Sequence, residues 1–258
     1  MNTIKEIFIY REMIYSLVRK DLRGRYLGTS LGFLWTFVNP LLQLLVYNLI
    51  FSIIMRNNIE KYYLFLFTGL IPWMFISSCL TAGSMVVLSE GALVSKTYFP
   101  REVLPISFVT SNFINMLLCF LVVFAVVFIS GIHFNLVLWL YLPVIMAVQY
   151  ILALGITLIV SALTVYFRDF QHILGVLQMA WMFLTPIMYS HTIVPQRLLP
   201  YFFMNPMTPI VIAYRDILYY AKTPALQTLL LAVGLGLLFV IAGFFIFGHL
   251  KRGFAEEI

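Results

Sequence analysis

The chain has 258 residues, of which 62% are apolar, 17% aromatic and only 10% charged, against about a quarter charged in a water-soluble domain. This composition excludes a soluble globule and a disordered chain, and the two cysteines, Cys79 and Cys119, both inside apolar runs, exclude a disulfide scaffold. The net charge of +6 and pI near 9.3 would suit nucleic acid, but in a chain this apolar the positive residues are set against a membrane, so membrane lipids and no nucleic acid are the expected partners.

In chain order, residues 1–25 place Ile4, Ile7, Phe8, Ile14, Val18 and Leu22 near one face of a helix, with Lys5, Glu12, Arg19, Lys20 and Arg23 mostly on the other. That pattern predicts an amphipathic helix lying along the membrane surface, as a simple anchor or also as a docking element. It has no apolar core followed by a small-residue cleavage site, so it does not read as a removable signal peptide. Gly24, Gly28 and Gly32 give overlapping G-x-x-x-G spacings that permit close helix contact.

Charge-free stretches follow at 26–55, 62–89, 103–167, 170–196, 198–214 and 223–250. A spanning helix needs about 20 apolar residues for a core about 30 Å thick. The third stretch is too long for one helix and breaks at Gly131-Ile132-His133-Phe134-Asn135, which makes two spans. The stretch 198–214 is interrupted by Pro200, Asn205-Pro206 and Pro209 after Pro195, and predicts short, broken or re-entrant helices. Solid apolar runs, without alternation, exclude a β-barrel. The predicted fold is therefore an all-α integral membrane protein: one domain over 1–258, with an interface helix at 1–25 and six transmembrane helices within 26–250. Re-entrant helices lie between spans 5 and 6, and a cytoplasmic tail covers 251–258. Six spans put both termini on one side, which holds 11 of the 16 Lys and Arg residues; Arg56, Lys61, Arg197, Arg215 and Lys222 fall opposite, so the termini are expected in the cytoplasm.

Much chemistry is missing. No G-x-x-x-x-G-K-[ST] loop is present, so the chain does not bind ATP by that arrangement, and Gly234-Leu235-Gly236 lacks the third glycine of a dinucleotide loop. His133, His172, His191 and His249 are scattered at span ends without metal-ligand spacing, so neither a metal nor any other cofactor is expected in this chain. No nucleophile stands at a useful spacing from a base, which excludes an enzyme assignment. Every Asp, Glu, Lys and Arg falls at a predicted connection or terminus, whereas an ion-driven carrier keeps an ionisable group within its spans. Energy then comes from a separate motor, or the chain is a passive pore or scaffold.

The first span spaces Gly32, Thr36, Asn39, Gln43 and Tyr47 three or four apart, and the fifth does the same with Gln178, Trp181, Thr185 and Tyr189. Such stripes glue helices together, or line a neutral passage suited to polyhydroxylated cargo. Two connections, 90–102 and 166–170, mix aromatic residues with both signs of charge; each suits an anchor in a partner's cleft or a solvated loop at the membrane surface.

Motifs in order along nearly the whole chain resemble one family. They are Lys20-Asp21-Leu22-Arg23-Gly24-Arg25-Tyr26, Leu31-Gly32-Phe33-Leu34-Trp35, Asn39-Pro40, Thr68-Gly69-Leu70-Ile71-Pro72-Trp73 and Phe99-Pro100-Arg101-Glu102, then Phe167-Arg168-Asp169, Thr185-Pro186-Ile187-Met188-Tyr189 and Asn205-Pro206-Met207-Thr208-Pro209. Together they are similar to the permease subunit of ABC-2 type polysaccharide exporters, which serve O-antigen, teichoic-acid and capsule export. The resemblance implies a homodimer in the bacterial cytoplasmic membrane, with two copies of a separate nucleotide-binding ATPase that holds ATP and Mg. The cargo would be a lipid-linked polysaccharide. Tyr98, Phe99, Pro100, Arg101 and Glu102, with Arg168 and Asp169, would couple to the ATPase. Thr36, Asn39, Gln43, Tyr47, Gln178, Trp181, Thr185 and Tyr189 would line the channel, and 192–222 would form short helices over the exit. Lys20, Arg23 and Arg25 would receive the lipid phosphate, or serve only topology and anionic lipid. A drug or small-lipid exporter of the same superfamily is the alternative; the amide and aromatic stripes argue against it.

Overall fold

The computed structural model describes residues 3–25, 28–54, 59–132 and 136–257; the side chain of Ile4 and residues Tyr26, Arg56, His133, Phe134 and Asn135 lie outside them. The helices in order are α1 (Thr3–Ile9), α2 (Arg11–Gly24), α3 (Trp35–Asn48), α4 (Tyr62–Thr81), α5 (Val86–Ser89), α6 (Gly91–Lys96) and α7 (Val103–Ile129). Then come α8 (Leu136–Trp139), α9 (Tyr141–Tyr166), α10 (Phe170–Leu184), α11 (Leu199–Met204), α12 (Met207–Leu218), α13 (Leu226–Leu250) and α14 (Phe254–Glu257). No strand occurs among the described residues.

Five helical stretches, Gly32–Ile54, Tyr62–Ser89, Val103–Ile129, Val137–Tyr166 and Leu226–Gly253, are 23 to 30 residues long with mean hydropathy of 1.7 to 2.8. Each is long enough to cross a bilayer. The fifth expected span differs. Helix α10 has 15 residues, about 22 Å at about 1.5 Å per residue. It stops at Leu184 because Thr185 precedes Pro186, and the proline ring forces the preceding residue out of the helical region; Thr185 has φ −100° and ψ 137°. The stripe expected on this span is therefore helical only at Gln178 and Trp181.

Two helices form the middle of the bundle. In α4 and α9, 78% and 72% of the most apolar window is buried, against 6% for the first span and 17% for the last. Helix α9 meets α13 almost backbone to backbone. A Cβ at Gly243 would lie 2.7 Å from the Gly155 carbonyl oxygen, and one at Gly155 would overlap the Phe239 carbonyl. Among the described residues of one chain, close glycine packing is seen here, while at Gly24, Gly28 and Gly32 a Cβ would meet nothing within 4 Å. Gly28 and Gly32 have φ of +80° and +50°, so their use is the backbone turn into the first span.

The predicted N-terminal helix is two helices, broken at Tyr10. Helix α2 leans on the bundle: Val18 is buried, and Met13, Ile14 and Leu17 pack on a second apolar core containing Phe99, Phe247 and Phe254. Phe8 points away, 66% exposed. Within the expected tail, 251–258, Phe254 is completely buried, so the residues just beyond α13 pack onto the bundle where this large apolar side chain has a core to enter. Both termini lie at one end of the molecule, joined to the 90–102 connection by Tyr10 Oη donating to Tyr98 O at 3.4 Å, Lys20–Glu90 at 2.7 Å and Lys251–Glu102 at 2.5 Å.

Candidate functional site

The far end of the bundle is built around the break after α10. A helix that stops inside a membrane frees carbonyl oxygens, and these are tolerated only when protein groups satisfy them. Here the carbonyls of Pro186, Ile187 and Tyr189 all accept from the Arg215 guanidinium, the Tyr189 bond at 3.3 Å, while Met188 O accepts from Tyr62 Oη at 2.8 Å. Arg215 also donates through Nε to Phe65 O at 3.3 Å and lies 3.6 Å over the Phe65 ring. Gly69 leaves the room, since a Cβ there would stand 3.2 Å from Nη2. On the other flank Asn205 accepts from Trp181 Nε1 at 2.8 Å and donates to Thr185 Oγ1 at 3.0 Å.

Arg215 corrects the expectation that no charge lies deep. It is 3% exposed, on α12, all twelve residues of which are buried. A guanidinium keeps its proton even when buried, so Arg215 is a cation here. The neighbouring Asp216 is occupied by Lys222 at 3.1 Å; burial pushes its carboxyl up and Lys222 pulls it back. Sequence reasoning counted Arg215 as a surface cation of a long connection. The signal available was its position after five uncharged, mostly apolar residues, 210–214, in a helical register.

The expected lining residues divide. Asn39 is exposed, and Gln43, Tyr47, Gln178, Trp181 and Tyr189 are half-buried, but Thr36 and Thr185 are buried. Gln43 Nε2 donates to Asn39 Oδ1 at 3.3 Å, and Tyr47 Oη points to Met182 Sδ at 3.9 Å, bringing the first span's stripe against α10. Trp181 packs edge-on to Trp73, centroids 5.6 Å apart. Beside Asn39 a cavity of about 210 Å³ is lined by Arg25, Ser78, Asn112 and Asn115 among others. It is lined by amide and hydroxyl groups between the first span, α4 and α7.

At the end bearing the termini, the residues expected to couple to a partner face in different directions. Tyr98 is 93% exposed, whereas Phe99 and Glu102 are buried. Glu102 pairs with Lys251, and Arg101 donates to the Lys251 carbonyl and lies 5.8 Å from the Phe254 ring. Pro100 is half-buried between them. Arg168 and Asp169 are exposed, and Arg168 reaches Glu257 O at 3.3 Å. Of the three expected phosphate ligands, Lys20 pairs with Glu90, Arg25 pairs with Asp21 at 2.7 Å, and Arg23 is exposed with no ion pair among the described residues. Among those residues no group of three His, Cys, Asp or Glu could hold a metal.

The chain is similar over its whole length to permeases. It is 34% identical over 262 residues to the O-antigen export system permease protein RfbA of Myxococcus xanthus, covering 100% of both chains. Against the RfbA protein of Klebsiella pneumoniae the identity is 32% over 246 residues, 95% of this chain and 94% of that one. Against the polysialic acid transport protein KpsM of Escherichia coli it is 25% over 214 residues, 81% of each. Residues 12–219 match the family model described as ABC-2 type transporter. Together with the five apolar spans, this makes the chain a multi-pass membrane protein and a transport subunit that belongs to the ABC-2 type transporter family.

Proposed function

We propose that the chain is the transmembrane subunit of an ATP-driven exporter that moves lipid-linked polysaccharide outward across the bacterial cytoplasmic membrane. The observation that carries this reading is the end-to-end similarity to an O-antigen export permease, covering 100% of both chains. Two copies form the passage, each joined to a separate ATPase that binds ATP and Mg. Both termini face the cytoplasm, the side richer in Lys and Arg. The apolar faces of α3 (Leu42, Leu45, Val46) and α10 (Val176, Met179) are uncovered within one chain, which supports contact with a second copy.

The ATPase engages α6, Tyr98 and the Arg168-Asp169 corner. Motion there reaches α13 through the Glu102–Lys251 pair and α9 through the glycine contact. Lys20, Arg23 and Arg25 attract the lipid phosphate, with Arg23 free to do so first. The glycan meets Asn39, Gln43, Tyr47, Gln178, Trp181 and Tyr189, which present amides and rings. Cargo drives the change only through contacts that differ between closed and open states.

Depletion of the chain in its host, followed by analysis of lipids on the inner membrane face, tests this. The expected result is accumulation of a full-length lipid-linked glycan there, together with recovery of a P-loop protein alongside the tagged chain. Accumulation of a small lipid or drug with no glycan would contradict it.

A further inference from the structure

Arg215 has no part in the transport scheme above, yet it is the most deeply set cation described. Four successive carbonyls, 186 to 189, lie in the non-helical segment that follows α10, and side chains claim all four: three by Arg215 and one by Tyr62. We propose that Arg215 is a positioning residue, a pin that holds the outer end of α10 against α12 and α4 so that the passage is shut at rest, and that it releases these carbonyls when cargo passes. This rests on the export reading.

Three features support a pin that can release. No described carboxylate bonds Arg215, because Asp216 is committed to Lys222. A guanidinium held by neutral carbonyls and a ring can exchange them for water or sugar hydroxyl oxygens, whereas a buried carboxylate partner would hold it far more firmly. The pin is anchored on its other side by the next residue back, since Tyr214 Oη donates to Gln149 Oε1 at 2.8 Å, so α12 stays with α9 when the carbonyls are released. Finally, the pinned state hides what the passage needs: Thr185 is completely buried and the Trp181 indole N–H is taken by Asn205. Thr185 becomes available when the 185–189 segment moves, and its bond with Asn205 links that movement to the group that holds the Trp181 N–H.

The fork matters as well as the charge. Guanidinium has five donors in a fixed plane, while an ammonium is a point charge on a flexible stem. The full chain with its ATPase, reconstituted in vesicles loaded with carboxyfluorescein, tests the pin without any cargo. Arg215→Lys and Arg215→Met are each expected to raise dye leak about tenfold or more per inserted molecule. Leak at the wild-type level in both, with normal insertion, would overturn the proposal. A purely structural role would lower the inserted amount without raising leak per molecule.

A second measurement keeps Arg215 intact and covers variants that fail to insert. Thr185→Cys in the exporting complex is expected to be unreactive to an impermeant thiol reagent at rest and labelled during turnover. Equal labelling in both conditions, or none in a complex that is exporting, would also overturn the pin. A wild-type complex that exports no glycan sinks the export reading instead and leaves the leak result to decide the pin.

Discussion

Gln149 does at residue scale what Arg215 does at the helix break: it joins elements through buried backbone. Its Nε2 donates to Pro72 O at 2.8 Å and its Oε1 accepts from Tyr214, with Gln149 and Tyr214 both fully buried. The bond crosses from α9 to α4 and to α12, where no water can substitute. Gln149→Leu leaves a hydroxyl and a carbonyl without partners, at about 1–3 kcal/mol for each group. Tyr214→Phe removes only one hydroxyl and leaves the amide its second bond. Thermal unfolding in detergent should therefore fall further for Gln149→Leu than for Tyr214→Phe. Equal midpoints would mean the bridge carries no tertiary load. None of this was legible beforehand. Glutamine in an apolar run signals a buried bond, but which carbonyl it meets depends on how α4 and α9 cross.

The 97–102 turn, at element scale, has two faces with separate tasks. Tyr98 points out, while Arg101 and Glu102 point in and clamp the end of α13. Glu102 Oε2 has no hydrogen-bond partner among the described residues, so Lys251 is its carboxylate's main compensation there. Breaking such a buried pair costs about 3–5 kcal/mol, since one charge is left stranded. Lys251→Met should accordingly lower the unfolding midpoint, with partial recovery when Glu102→Gln is added. Tyr98→Ala should leave that midpoint unchanged and reduce recovery of the proposed ATPase. If the two substitutions had the same profile, the division between faces would be wrong. The motif Phe99-Pro100-Arg101-Glu102 was visible in the sequence as part of a connection between spans. Its inward aim was not, because the partner is Lys251, about 150 residues away in the chain, and only the fold brings them together.

For the whole molecule, the long apolar runs were enough to locate the spans, since a bilayer leaves a backbone few choices. The proline cluster likewise announced the short helices at 191–218. The burial order was hidden: every span is apolar all round, so nothing in periodicity says that α4 and α9 are central and α3 is peripheral. The short α10 was half-readable, because Pro186 marks Thr185 as a helix end. Arg215 was misjudged because burial of a cation is decided by carbonyls that exist only after α10 breaks. The packing of the C-terminal segment was hidden because nothing in a phenylalanine among charges announces that it meets Tyr166 and Phe247 at 6.2 and 5.4 Å.

The proposed function stands on one claim, that no group among the described residues harvests an ion gradient and that the bundle works as the passage of an externally driven exporter. Arg215, bound to backbone carbonyls and to no carboxylate among the described residues, does not alter that. The direct measurement is outward movement of a fluorescent lipid-linked glycan in vesicles holding the purified chain, with and without its ATPase and with ATP or an imposed proton or sodium gradient. Movement only with the ATPase and ATP is the predicted result. Uphill movement by the chain alone on a proton or sodium gradient would contradict the account.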